Sequence, residues 1–421
     1  MRCFTNCPSA RFVVAGCVAL FTGAAVWSGC DRSSQSSAPR RAVIVVSGDT
    51  AGWIVPCGCT ANQSGGLLRR GTYLSQLRAG NDVLYLDAGG AGAGNSPYQQ
   101  AKLQAIFAGE TAMGVAAHNL GASELSLRPA ALRKAASAAD IPLLSANTTD
   151  LAGQPLAPGI RIFPFGGKRI AVTGVVSPRF ATSQITITRP AQAIADTLAA
   201  HKGEYDSLIV LAYMPEQELQ ALAAAMPEAD AVIGGPTGQS IVPHLLGPVL
   251  LGSATNKGKF LVRIDLPFGQ AASAAWSGQI VQLDQNYADD PTQQANLQAY
   301  LQQLRHRDFT ADDSGFIAPL PAGAPADYRI AGNASCTACH SADAMIWAHS
   351  LHAIAGDSLK PRHFDVDPDC LRCHTTGYGL PGGFVSPRRT PQFYGVGCED
   401  CHGPSQTHVA DPHVHTQYLA F

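Results

Sequence analysis

Three five-residue segments near the C-terminus repeat one pattern: CTACH at 336–340, CLRCH at 370–374 and CEDCH at 398–402. Cys-x-x-Cys-His is the attachment pattern for c-type haem. Two thiols one helical turn apart can each add to a vinyl group on one porphyrin edge, and the adjacent imidazole then points back at the iron as proximal ligand. On this reading Cys336, Cys339, Cys370, Cys373, Cys398 and Cys401 bind haem, and His340, His374 and His402 hold iron. Cys-x-x-Cys alone also builds zinc ribbons, and paired cysteines build disulfide frameworks. Neither explains a histidine directly after every pair, three times within 67 residues. The expected cofactors are three covalently bound haems c.

The other histidines fit the same chemistry. Of thirteen, nine lie at or beyond His340: the three above plus His349, His352, His363, His408, His413 and His415. Each haem iron can take a second axial ligand. Met345 is the only methionine nearby, so the expected sixth ligands are imidazoles, and without methionine ligation the haems should have low potentials.

The remaining cysteines sort by position. Arg2 and Arg11 precede and open an uncharged, largely apolar run from Phe12 to Trp27, which ends in WSGC at 27–30 and a polar stretch. This is a targeting segment, short for a spanning helix. Ser28 and Gly29 before Cys30 resemble a bacterial lipoprotein cleavage box, with Trp27 where that box usually has Leu. Residues 1–29 are therefore read as an export signal, Cys30 as a lipidation site and 30–41 as a polar tether, and an acylated cysteine would hold the chain at a membrane surface. An ordinary cleaved signal or an uncleaved anchor are the alternatives. Cys57 and Cys59, in PCGCT, are candidate redox thiols. A bridge across one residue is tight, and strained bridges are easily reduced. A disulfide or a buried thiol pair without a role is the plainer reading.

These groups must be positioned by the rest of the 421 residues. A formal charge of -2 gives no basic footprint, so nucleic acid is not an expected partner. Short apolar runs of strand type lie at 42–47, 83–87, 141–146, 207–213 and 259–266, and IRIFPFGGKRIAVTGVV reads as a hairpin turning at Gly166 and Gly167. Helical stretches lie between them, at Leu67 to Leu77, Ala191 to Ala200 and Glu216 to Ala225. Residues 42–285 thus form an α/β domain. A closing helix with Leu297, Leu301 and Leu304 on one face and a Pro/Gly/Ala-rich linker fill 286–333, and the haem region is 334–421.

Around the motifs, ASCTACHSADAMIWAHSLHAIA, CLRCHTTGYGLPGGF and YGVGCEDCHGPSQTHV resemble the multihaem cytochromes related to the tetrahaem cytochrome of nitrifying bacteria. The resemblance spans about 334–410 and includes Trp347, Ser350, His352, Gly403, Pro404 and His408. It implies closely packed haems, mostly with two histidines each. His352 lies twelve residues after His340, too far along to curl back easily onto the same iron, and the Gly-Pro turn after His402 throws His408 away from its own haem. Histidines in these two places of the related cytochromes ligate haems other than the nearest in sequence, so His352 and His408 are the expected distal ligands, each to a haem of another motif. His349, His363, His413 and His415 compete for the third position. Relatives usually carry a fourth attachment motif, which the sequence as given does not contain.

The order of loops in 42–285 resembles the calcineurin-type metallophosphoesterases, particularly the exported 5'-nucleotidase branch. These enzymes hold two metals with Asp-x-His, Gly-Asp, Gly-Asn-His-Glu, a lone His and Gly-His-x-His. Here SGDTAG keeps Asp49 but has Ala51 in place of His. Gly90 replaces the bridging Asp, and Ala122 and Ser123 replace Asn-His. Tyr213 stands at the lone His, with Pro236 and Gly238 at the last pair. A metallophosphoesterase-like layered sheet-and-helix domain without its dinuclear site is expected, followed by a small, mainly helical and irregular cytochrome domain. The function expected is electron transfer on the periplasmic side of a bacterial membrane, with redox proteins as partners and no phosphoesterase activity. The alternative is a redox enzyme that acts on a small nitrogen or sulfur compound at an open haem or at Cys57 and Cys59.

Overall fold

The computed structural model describes residues 40–56, 63–267, 276–318, 320, 323–324 and 327–414. Cys30, Cys57, Cys59 and His415 lie outside them. The strands are β1 (Arg41–Ser47), β2 (Asn81–Asp87), β3 (Val115–Asn119), β4 (Leu143–Leu144), β5 (Thr148–Asp150), β6 (Ile160–Phe165), β7 (Lys168–Val176), β8 (Ile185–Ile187), β9 (Ser207–Tyr213), β10 (Ala231–Gly235), β11 (Ile241–Leu246), β12 (Val249–Ser253), β13 (Phe260–Asp265) and β14 (Ser277–Gln282). The helices are α1 (Gly66–Gly80), α2 (Pro97–Ala112), α3 (Ala122–Leu125), α4 (Pro129–Ala139), α5 (Pro190–Ala200), α6 (Glu216–Ala225), α7 (Pro291–Arg307), α8 (Ala311–Ser314), α9 (Asn333–Thr337), α10 (Ser341–Ala348), α11 (Pro368–His374), α12 (Cys398–His402) and α13 (Gln406–Ala410).

Two six-stranded sheets, ordered β14-β13-β1-β2-β3-β4 and β11-β12-β10-β9-β7-β6, face each other. The inner strands are continuous apolar runs because both their faces are covered. In β1, Ile44 and Val46 point into the layer between the sheets with Leu84, Leu86, Val172, Ile209 and Ile233. Val43 and Val45 point the other way, into the core under α1, α2 and α7. The second sheet's outer face packs on Ile194, Leu219 and Leu222 of α5 and α6. The result is a helix–sheet–sheet–helix stack, each fully buried aliphatic side chain contributing about 1.5–3 kcal/mol.

Local chemistry starts and stops these elements. Ser96 caps α2 by accepting from the Gln99 N–H, with Pro97 at the first helical position. Asp290 does the same for α7, which ends in Arg305, His306 and Arg307. The hairpin turns at Gly166 and Gly167, with Phe165 opposite Lys168. The strand expected over 141–146 is a two-residue pairing, Leu143–Leu144. The Ser145 and Ala146 N–H groups instead reach Pro158 and Gly174 carbonyls, which turns the chain off the sheet edge.

The closing helix belongs to the α/β core. On α7, Gln293 and Asn296 donate to the Gly109 and Ala105 carbonyls of α2 at 3.0 and 2.8 Å. A Cβ on Gly109 would lie 2.6 Å from the Gln293 side chain, so a larger residue there would push the Gln293 amide aside. From α7 the chain passes through α8 to the motif helices α9, α11 and α12, whose apolar cluster is small: Ala311, Leu371, Tyr378 and Phe384. Among the described residues no helix is long and apolar enough to cross a membrane.

Candidate functional site: a haem centre on a strand-end scaffold

The three Cys-x-x-Cys-His segments lie on separate short helices, and hydrogen bonds rather than a large core hold these together. The Glu399 carboxylate of CEDCH is buried and accepts N–H bonds from Ala331, Gly332 and Ser405 at 2.7–3.1 Å. Its neighbour Asp400 accepts from Gly377, just past the second motif, and from Gly397. Asn333, ahead of the first motif, accepts from the Cys398 N–H at 3.0 Å. The Trp347 indole donates to the Val396 carbonyl, Val396 N–H to the His352 carbonyl, and Gly395 N–H to the His374 carbonyl. The two residues between the cysteines of the third motif thus staple all three motifs into one unit.

The reactive groups are arranged alike. In each motif the first cysteine is half-buried and the second exposed, and none of the six is in a disulfide. Burial, with the Cys398 thiol beside it, pushes Cys336 up to about 11, so the first and third motifs place their leading sulfurs together. The rings of His340 and His408 lie with centres 6.3 Å apart and planes 35° from parallel. An iron held between two imidazoles would need ring centres about this far apart, since each metal–nitrogen bond is about 2 Å. The His408 Nδ1 lies 2.8 Å from the Val414 carbonyl, and His374 Nδ1 lies 2.8 Å from that of Ala355. A carbonyl only accepts, so these nitrogens carry the protons, which is the tautomer whose Nε2 could hold iron. His352 is exposed on the turn after α10, and no comparable ring pair involves it among the described residues.

Six of the eleven exposed large apolar side chains among the described residues (Met345, Ile346, Leu351, Ile354, Val409 and Val414) lie in the 345–414 stretch around the motifs. Exposed apolar surface of this density is what a bound apolar group covers.

At the carboxyl ends of β1, β2, β3, β9 and β10 the α/β domain gathers the loops where this kind of fold binds ligands. Asp49, at φ 48°, accepts from the Thr255 hydroxyl at 2.7 Å and the Asn256 N–H at 3.1 Å, and burial raises its pKa. The Tyr213 ring fills the space over Gly90: a Cβ there would lie 2.6 Å from Tyr213 Cε2. An aspartate at 90 and a tyrosine at 213 exclude each other. The buried Glu124 carboxylate accepts from the Gly90, Ala91 and Gly121 N–H groups and from the Ser123 hydroxyl. Burial alone would raise its pKa, but the His118 hydrogen bond and charge and these N–H groups outweigh it and hold it low. One carboxylate with four donors therefore organises the loops that metals organise in the enzymes this layout resembles. Ala51, Ala122, Pro236 and Gly238 offer no ligand atom.

Residues 335–403 match the family described as cytochrome c554 and c-prime. Over 101 residues the chain is 36% identical to the cytochrome c-554 of Nitrosomonas europaea, an alignment covering 20% of this chain and 43% of that relative. The chain thus spans less than half of the length of the curated cytochrome it matches. The match implies covalently bound haem c in the C-terminal segment. The α/β part is similar to a 5'-nucleotidase precursor from Thermus thermophilus, with a TM-score of 0.55 and 19% identity over 64% of this chain and 60% of that one. It is also similar to the calcineurin-like phosphoesterase YfkN from Bacillus subtilis, with a TM-score of 0.54 and 19% identity over 63% of this chain and 98% of that one. At such identities the likeness shows the fold, a metallophosphoesterase-like sandwich joined here to a cytochrome segment.

Beneath the cytochrome-bearing scaffold lies a charged cluster that sequence reading passed over. Arg70, Asp87, Glu110 and His118 are all essentially without solvent contact. His118 Nδ1 lies 2.7 Å from Glu110, and the Arg70 guanidinium reaches Glu110 at 3.2 Å, Tyr85 at 3.1 Å and Thr50 at 2.7 Å. Asp87, Glu110 and His118 could offer three ligand atoms to a metal ion. Arg70 already supplies the compensating charge, so the cluster reads as a structural ion network. The signal available was charged residues at the ends of apolar strands, Asp87 and His118, and inside helices, Arg70 and Glu110, where charges ordinarily mark a solvated face.

Proposed function

We propose that this protein is an exported electron-transfer cytochrome with three covalent haems, and that its α/β domain is a platform without hydrolase activity. The His340–His408 ring pair carries this reading. It brings the expected proximal ligand of the first motif near a histidine that follows the third, at a spacing that would suit a six-coordinate iron. Saturated coordination favours electron exchange over substrate binding at the metal. Cys336 and Cys339 would hold the first haem, Cys370 and Cys373 the second, Cys398 and Cys401 the third, with His340, His374 and His402 as proximal ligands. His408 would be the distal ligand of the first haem and His352 that of another. Lipid on Cys30 would tether the chain at the periplasmic side of a bacterial membrane, where redox proteins are the partners.

The Gly90–Tyr213 exclusion and the Glu124 hub support the second half of the proposal, because the space and donors of a dinuclear centre are already taken. Holoprotein mixed with a reduced mediator should show one-electron reduction of haem, and it should release no phosphate from nucleotides with manganese or zinc added. Phosphate release stimulated by either metal would contradict the platform role.

A further inference from the structure

The second haem motif is anchored on the α/β domain through side chains of α2. Tyr98 donates its hydroxyl to Asp367 at 2.6 Å, and Asp367 caps α11, the helix carrying Cys370, Cys373 and His374, by accepting from the Asp369 N–H at 3.0 Å. One turn further along α2, the Lys102 ammonium pairs with Asp369, the residue directly before Cys370. It lies 5.0 Å from the centre of the Tyr98 ring. The Lys102 side chain is 9% exposed and that of Asp369 42%. The lysine's methylenes run beside Gly52, where a Cβ would sit 3.3 Å from Cδ, so the ammonium is fixed by packing as well as by charge. A strongly hydrated cation held almost out of water needs a reason to be there.

We propose that Lys102, a residue of the α/β domain, sets the reduction potential of the haem attached at Cys370 and Cys373. The inference rests on the haem reading given above for that motif. Reduction adds one electron to the haem iron, and a cation fixed beside the attachment cysteine stabilises the added charge. With the lysine neutralised, the Asp369 carboxylate loses its paired cation, only the weaker influence of Arg372 remaining, and favours the ferric state. Burial and charge around a haem are the protein's ordinary means of setting its potential. The fused domain thereby tunes one haem of the three.

The test is a mediated redox titration of the full-length holoprotein, followed in the visible spectrum, on Lys102→Met, Lys102→Arg and Asp369→Asn. Lys102→Met should lower one midpoint, a change of about tenfold in the one-electron equilibrium or ~59 mV. Lys102→Arg should leave that midpoint in place and Asp369→Asn should raise it. The wave that moves should be the one raised by His374→Met, since methionine ligation raises haem potential. A Lys102→Met protein with unchanged midpoints, or with all midpoints displaced together, overturns the proposal. If Lys102→Met fails to keep its haem, Asp369→Asn decides: a raised midpoint upholds the proposal and an unchanged one overturns it. A mass showing no haem on Cys370 and Cys373 in the parent protein would sink the haem reading itself, a result distinct from an unmoved wave.

Discussion

At the scale of single residues, His408 and Tyr213 carry the account. His408→Ala should convert one low-spin haem to high-spin, read by electron paramagnetic resonance, while all covalent haem stays on the chain. An unchanged low-spin spectrum would remove His408 from the iron. Gly90→Asp should destabilise the α/β domain by about 2–4 kcal/mol, because the new side chain overlaps the Tyr213 ring and sits at φ 82°. Adding Tyr213→Ala should return part of that loss in thermal unfolding, whereas additive losses would mean that the two positions do not share the space. The attachment cysteines and proximal histidines were legible in the sequence because their chemistry fixes their spacing. The partner of His408 was not. It depends on Asn333 and Glu399 drawing the third motif against the first, contacts spanning more than sixty residues.

At the scale of elements, the motif helices are too short to be stable alone and depend on buried carboxylates. Glu399→Ala leaves the Ala331, Gly332 and Ser405 N–H groups without their acceptor, at a cost of about 2–3 kcal/mol. Haem content per chain, measured after maturation, should fall in this variant and recover partly in Glu399→Gln. Undiminished content would show that the staple is dispensable. Half of the strands (β1, β2, β4, β6, β7, β9 and β13) and α1, α5, α6 and α7 were readable from apolar runs and periodicity. α2 was not, because it buries Lys102 and Glu110 alongside Leu103, Ile106 and Phe107, which leaves no clean polar stripe. The same two residues tie α2 to the second motif and to the charged cluster. This helix, hidden from the sequence, joins the two halves of the molecule together with α7, where Arg305 pairs with Asp365 and Asp308 accepts from Ser386.

For the molecule as a whole, stability should depend on pH through the buried cluster. Burial, followed by repulsion from Glu110, raises the Asp87 pKa to about 7, against an ordinary value near 3.9. A group whose pKa is raised on folding contributes stability that is fully present below its unfolded pKa and lost as pH climbs through the folded one. For Asp87 that window runs from about pH 4 to about 7. Burial would lower the His118 pKa, but Glu110 and Asp87 outweigh it and hold it well above the ordinary value, so its contribution is lost further into the alkaline range. Calorimetry should show the α/β transition moving down from pH 5 to pH 7, with a shallower slope in Asp87→Asn. Equal slopes would mean that Asp87 does not titrate in this window. The fold class was legible because loop order and strand runs are set by the backbone and core rather than by the side chains at the strand ends, whereas the ion network was hidden by its dispersal over β2, α1, α2 and β3. The central claim, three haems bound through thioethers, is tested most directly by the mass of the matured protein in denaturant after acid-acetone extraction. Three thioether-bound haems predict a gain of three haem masses with the colour retained on the chain. A chain at its bare polypeptide mass, with the colour in the solvent, would contradict it.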